Sequence, residues 1–281
     1  MGTAITSSVI IIALSPPIFV YKKRPLGYKC FMEKIIKGYS NLDLHRRISN
    51  IIEDHSSNKE EIRGMARELI NWQQVHAFLD LGCGYGWFEE ALEGSFDFIC
   101  GVDYLGENRY GFLGTAEKIA KEAVFLKARL PATIEMPSGR FDLVVAVYSL
   151  YFFPEMIGEV KRLLNDGGRF LVITHSESML AEGEKYFDFS GLKRVIQRFS
   201  AENGEALLRE HFPGVSFVDY MNTLVFGRSD SNDLAQYIDF KREFIAVDAD
   251  PELVKRKMLA ELRELGELCF NKNDRIFVVR K

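Results

Sequence analysis

Along the middle of the chain, short continuous apolar runs alternate with stretches in which apolar residues recur every three or four positions. The runs are "HAFLDL" (76–81), "FDFICGVD" (96–103), "AVFLKARL" (123–130), "RFDLVVAVYSL" (140–150) and "RFLVITH" (169–175). Runs of this length, bounded by turn residues, read as buried strands. "RFDLVVAVYSL" is the clearest, continuous and β-branched as a central strand of a parallel sheet should be. From Asn58 to Trp72, Ile62, Met65, Ala66, Leu69 and Ile70 fall at helical spacing. "GYGWFEEALEG" reads as a turn and a helix closed by Gly94, and residues 107–122 as weakly helical despite Gly111 and Gly114. "EMIGEVKRLLNDGG" reads as an amphipathic helix closed by Gly167 and Gly168. Strands alternating with helices at this spacing predict βαβ units and an α/β, doubly wound, Rossmann-like sheet.

Beyond residue 175 the rhythm changes. "SAENGEALLREHF" predicts a helix and "GVSFVDYMNTLVF" a long strand region. Two helical patterns follow, "DLAQYIDFKREF" and "PELVKRKMLAELRELGELCF", and then a last strand, "DRIFVVRK". Nothing splits the chain in two, so the reading is one domain over 32–281 with a helical lid insertion at about 229–270 between the sixth and seventh strands. Within the second helix, Leu253, Met258, Leu262 and Leu265 read as a core stripe.

The 281 residues are 47% hydrophobic and 27% charged, with 22 Phe and 11 Tyr, enough for a sizeable core. Against 36 Lys and Arg stand 40 Asp and Glu, a net charge of −4, so there is no global footprint for a long polyanion. Cys30, Cys83, Cys100 and Cys269 form no CxxC pair and no cluster with His at metal-ligand spacing. Reduced thiols in a cytoplasmic protein are expected, with no metal. Residues 1–31 are apolar, broken by Pro16 and Pro17, and end in "YKKRP". The run is too short and interrupted for a spanning helix and carries its charges on the wrong side for a secretory signal. It is expected to be a disordered extension, with membrane contact only if residues 1–21 act as an anchor.

Candidate chemistry concentrates in "FLDLGCGYGWFEEAL", where Gly82, Gly84 and Gly86 alternate directly after a strand. Ligands in such sheets bind at the carboxyl ends of the strands. The dinucleotide fingerprint would need glycine where Trp87 stands, and Asp80 before the glycines suits an ammonium group better than a pyrophosphate. Some twenty residues on, Asp103 ends the second strand, where a carboxylate can take two ribose hydroxyls.

"LDLGCGYG", "GVD", "FDLVVAVYSLYFF" and "VKRLLNDGGRFLVITH", in this order, resemble class I S-adenosylmethionine-dependent methyltransferases of the LDxGCGxG group. The resemblance covers residues 62–280 and implies a seven-stranded sheet with the last strand antiparallel. It implies that Gly82, Cys83, Gly84 and Gly86 pass close to the methionine part of S-adenosylmethionine and that Asp80 helps hold its amino end. It further implies that Asp103 binds the ribose, that Tyr104 lies against the adenine, and that Ala128 and Arg129 flank the ring. Val147, Tyr148 and Ser149 would face the sulfonium. Relatives also cover the cofactor's carboxylate with an aromatic and an Arg ahead of the first strand, which makes Tyr39 and Arg46 or Arg47 candidates.

Methyl transfer is a direct displacement governed by positioning, with a base required only where the nucleophile must lose a proton. Base candidates are Tyr148, Tyr151, which stands where relatives often have His, His175 and Glu177. No "NPPY"-like tetrapeptide and no Pro-Cys pair follows the fourth strand, which argues against adenine amino-group and cytosine C5 methylation. Tyr220, Asn222, Tyr237 and Phe240 could line a pocket under the lid. The resulting expectation is a methyltransferase acting on an O or N nucleophile of a small molecule. The alternatives are RNA or protein as acceptor, or a binding module that has kept the cofactor pocket without chemistry.

Overall fold

The computed structural model describes Ile35, residues 38–241 and residues 250–281. The expected N-terminal extension at 1–31, with the conditional anchor at 1–21, therefore lies outside the described residues. A seven-stranded sheet carries the fold, built from β1 (Ala77–Leu81), β2 (Phe96–Asp103), β3 (Ala120–Lys127), β4 (Phe141–Val147), β5 (Leu164–His175), β6 (Gly214–Tyr220) and β9 (Asp274–Arg280). β7 (Thr223–Gly227) and β8 (Glu267–Asn271) form a separate antiparallel pair. The order in the large sheet is β3-β2-β1-β4-β5-β9-β6. β1 to β5 pair parallel to one another, and β9 runs antiparallel between β5 and β6, as expected for a last strand. Chain order reverses across β1 and β4, which opens the crevice at their carboxyl ends.

Burial explains why the central strands were legible. β1 is buried along its whole length, and Phe141, Leu143, Val144, Val145 and Ala146 of β4 are fully buried. A strand covered on both faces has no polar alternation to display. Among the described residues, no helix is long and apolar enough to cross a membrane.

Several elements differ from the sequence reading, each for a local reason. The helix expected after the glycines is only one 3-10 turn, Glu89–Ala91. The helix Arg109–Ala116 occupies the space beside it: Gly101 and Gly111 let Phe112 and Tyr85 approach to where a Cβ would meet them at 2.4 and 2.9 Å. The amphipathic helix before β5 stops at Leu163, and Gly167, at φ 84°, turns the chain inside the irregular start of β5. The long strand region is two strands, β6 and β7, in different sheets. The insertion between β6 and β9 contains β7, the helices Ser231–Lys241 and Pro251–Leu265, and β8, so "ELCF" is strand rather than helix tail. Only Met258 and Leu262 of the expected stripe are buried, joined by Val254 at a spacing of four, while Leu253 and Leu265 are exposed.

Gly82 shows how closely the crevice is built. Its φ of 77° is left-handed, and an added Cβ would sit 2.5 Å from the Ser149 Cβ at the end of β4. Ser149 cannot easily give way, because its hydroxyl donates to the Leu81 carbonyl. Gly82→Ala is expected to cost about 2–4 kcal/mol from overpacking and backbone strain together. Urea unfolding checks this, and an unchanged midpoint would show that β1 and β4 can separate freely.

Candidate functional site

A cavity of about 950 Å³ opens at the carboxyl ends of β1, β2, β4 and β5. At one end the glycine loop forms the wall. Gly84, at φ 54°, has nothing within 4 Å of where a side chain would stand, and its N–H donates to Asp103 Oδ2 at 3.0 Å. Asp103 Oδ1 accepts from the Leu105 N–H at 2.7 Å and from Asn108 Nδ2 at 3.1 Å. The carboxylate is thus fixed against the loop while lining the cavity, and Oδ2 keeps a lone pair for a ligand. Burial raises its pKa, opposed by these hydrogen bonds. Tyr104 is half-exposed with the Arg129 guanidinium 5.6 Å from its ring centre, and Ala128 and Arg129 line the same wall.

Beneath the loop lie two buried carboxyls. Asp80, at the end of β1, and Glu89, in the turn, are 2% and 1% exposed. Asp80 Oδ1 and both Glu89 carboxyl oxygens have no hydrogen-bond partner among the described residues. Burial, with Glu89 and Asp103 nearby, holds the Asp80 carboxyl well above its ordinary range, and burial pushes Glu89 up to about 7. Sequence reading did not single out Glu89, since a Glu in a predicted surface helix reads as solvated.

At the far end of the cavity the strand register assembles a polar cluster. β9 places Asp274 opposite His175 of β5 on one side and opposite Tyr220 of β6 on the other. Asp274 Oδ1 accepts from His175 Nδ1 at 2.7 Å, and Oδ2 accepts from the Tyr148 hydroxyl at 2.7 Å and from Lys272 Nζ at 2.5 Å. Burial alone would raise Asp274, but Lys272 and His175 beside it hold the carboxyl below its ordinary range. Burial, with Lys272 nearby, lowers His175 to about 4, so its ring is neutral at pH 7. With Nδ1 committed to Asp274, Nε2 keeps its lone pair, and the ring lines the cavity. Tyr148, at φ 52°, stacks on His175 at 4.6 Å, and burial, reinforced by Asp274, pushes its phenol well above the ordinary range. It is a hydrogen-bond donor here.

The remaining candidates divide. Val147, Tyr39, Cys83, Ser149, Tyr220, Asn222 and Phe240 line the cavity. Gly86 does not: at φ 90° it lies where a Cβ would meet the Phe112 Cα at 3.2 Å, so it serves the packing of the neighbouring helix. Tyr151 is buried behind the wall with its ring 5.8 Å from His175, and Tyr237 packs on Phe226. Glu177 accepts from the Ser200 hydroxyl and from Gln197, away from the cavity. Arg46 pairs with Glu90 and Arg47 bonds Gln236, so neither lines it. Tyr39 and His45 meet Phe240 edge-on and stacked, joining the N-terminal segment to the inserted helix along the cavity wall. Lys272 and Asp274, missed in the sequence, left only a faint signal there: two charges at the mouth of an apolar strand.

The sequence profile of one family, described as "Methyltransferase domain", matches residues 42–212. No curated protein matches the sequence significantly. Among solved structures, a proposed methyltransferase from Bacillus halodurans superposes with a TM-score of 0.55 at 14% identity, covering 78% of this chain and 98% of that one. The YcgJ protein from Bacillus subtilis superposes with a TM-score of 0.50 at 16% identity, covering 78% and 97%. At such identities these likenesses show the fold.

Proposed function

The chain belongs to the methyltransferase-domain family and is an S-adenosylmethionine-dependent methyltransferase, and from that premise we propose how it holds the cofactor and what it methylates. The residues present fit S-adenosylmethionine. Orphaned carboxyl oxygens at Asp80 and Glu89 lie under the loop, Gly84 leaves room above it, and Asp103 Oδ2 keeps a free lone pair. Asp103 would hold the ribose through a hydroxyl at Oδ2, Tyr104, Ala128 and Arg129 would border the adenine, and Gly82, Cys83 and Gly84 would pass along the methionine part. Asp80 would neutralise the amino end, and Tyr39 would cover that end from above. When bound, the cofactor supplies an electrophilic methyl group.

The acceptor is a small molecule bearing an O or N nucleophile. The observation that carries this reading is the shape of the cavity. Its volume falls at the upper end of small-ligand sites, roughly 300–1,000 Å³. Tyr39, His45 and Phe240 pack together along its wall, bringing the N-terminal segment and the inserted helix to one side of it. Near the exit of β4, His175 Nε2 is the base, oriented through Nδ1 by Asp274. Asp274 also stabilises the imidazolium once the acceptor's proton arrives. Tyr148 keeps its proton and fixes the carboxylate from the other side.

Calorimetric titration of S-adenosylmethionine and its demethylated product tests the cofactor assignment, and absence of binding would end it. In acceptor screens by mass spectrometry, His175→Gln is expected to lower kcat by about 10²–10⁴ with cofactor affinity preserved. A variant as fast as wild type at every pH would remove His175 from the chemistry.

A further inference from the structure

Asp80 and Glu89 pose a question that methyl transfer does not answer. Both carboxyls are essentially excluded from water, Asp80 Oδ1 and both Glu89 oxygens have no donor among the described residues, and the two groups face one another. Ionised carboxyls only accept hydrogen bonds, so two of them side by side cannot satisfy each other. No cation compensates them among the described residues. Arg63 is engaged by Glu61 and by the Trp87 carbonyl, Arg67 by the Ala91 carbonyl, and Arg46 by Glu90. The other titratable groups that face the pair add negative charge or are neutral thiols: Asp103 from β2, Glu90 from the same turn, Cys83 from the loop and Cys100 from β2. One proton resolves the arrangement, since a protonated carboxyl donates to its neighbour.

Resting on the cofactor assignment above, we infer that Asp80 and Glu89 hold a shared proton while the methionine end of the site is empty, and that the ligand's ammonium group replaces it. Glu89 is then a positioning residue for the cofactor, acting through Asp80, which alone of the two lines the cavity. Binding of an aminoacyl-bearing nucleoside releases one proton to solvent. The sign follows from mass action: a reaction that releases a proton is favoured as pH rises. Affinity should therefore increase by up to about tenfold per pH unit where the pair still carries its proton. The trend fades as the ligand's own amino group begins to titrate near pH 8, the usual α-amino range of about 7.7–8.0.

The experiment uses the full chain and three probes: S-adenosylmethionine, S-adenosylhomocysteine and 5′-methylthioadenosine, which lacks the amino acid. Each is titrated at pH 6.5 in two buffers of different ionisation enthalpy, so that the difference in heat counts protons. The expected result is close to one proton released with the two amino-acid-bearing probes and none with 5′-methylthioadenosine. In Glu89→Gln the side-chain amide donates to Asp80 permanently, so release should vanish and affinity should become flat between pH 6 and 7. Tight binding of S-adenosylhomocysteine with no proton release in the wild type overturns the inference and leaves the cofactor assignment standing. Failure of all three probes to bind overturns both. Should Glu89→Gln not fold, the wild-type comparison of the three probes still decides.

Discussion

With Asp274 replaced by alanine, the protein is expected to lose about 3–5 kcal/mol of stability at neutral pH, because Lys272 is left as an uncompensated buried charge. Lys272 and Asp274 are 7% and 2% exposed, and the carboxylate is also the acceptor for Tyr148 and His175. Three donors are orphaned by one substitution, all of them on the cavity wall. A double-mutant cycle with Lys272→Met separates the causes. If the buried charge dominates, Lys272→Met/Asp274→Ala should recover much of the loss, since replacing both partners with apolar groups is often close to neutral. Activity should not recover with it, because His175 would still lack the partner that fixes its tautomer. A double variant that regains both stability and turnover would show that the network serves packing alone.

Asp103→Ala should leave the fold intact and weaken S-adenosylmethionine binding by about 100-fold. A hydrogen bond to a charged acceptor is worth about 1.5–3 kcal/mol, and 1.4 kcal/mol is roughly a factor of ten. Part of the loss comes indirectly, since the same carboxylate ties down the Gly84 N–H and the turn after β2. Asp103→Asn retains acceptors of similar shape and should fall between the two. Titration with adenine as well as with the whole cofactor distinguishes the contributions: adenine carries no ribose and should bind both proteins alike. Equal affinity of wild type and Asp103→Ala for the whole cofactor would reject the ribose assignment.

The carboxyl ends of the strands could be read from sequence because each acid follows its own apolar run. Asp80 and Asp103 terminate strands buried on both faces, and the parallel order of β1 and β2 brings them to one edge. The glycine spacing was informative for the same local reason, although Gly82, Gly84 and Gly86 turned out to have three different tasks. The first permits contact with β4, the second opens to the cavity, and the third accommodates Phe112. What could not be read was set by contacts distant in sequence. Asp274 meets His175 across 99 residues and Tyr148 across 126, through the register of an antiparallel strand whose neighbours no local pattern announces. Glu89 escaped because its burial depends on the collapse of a predicted helix into a single 3-10 turn, which in turn depends on how Arg109–Ala116 packs.

β9, wedged between β5 and β6, also imposes a calendar on the molecule. Its residues are translated after those of every other strand in the large sheet, yet they separate two strands made long before. A nascent chain that has emerged only as far as β6 can form the crevice around Asp80 and Asp103, but β5 and β6 must still be kept apart, each with an unpaired edge. Premature pairing of those edges would be a dead end that only unzipping could correct. His175 acquires its carboxylate only when β9 takes its place, so the polar cluster at the far end of the cavity is completed last.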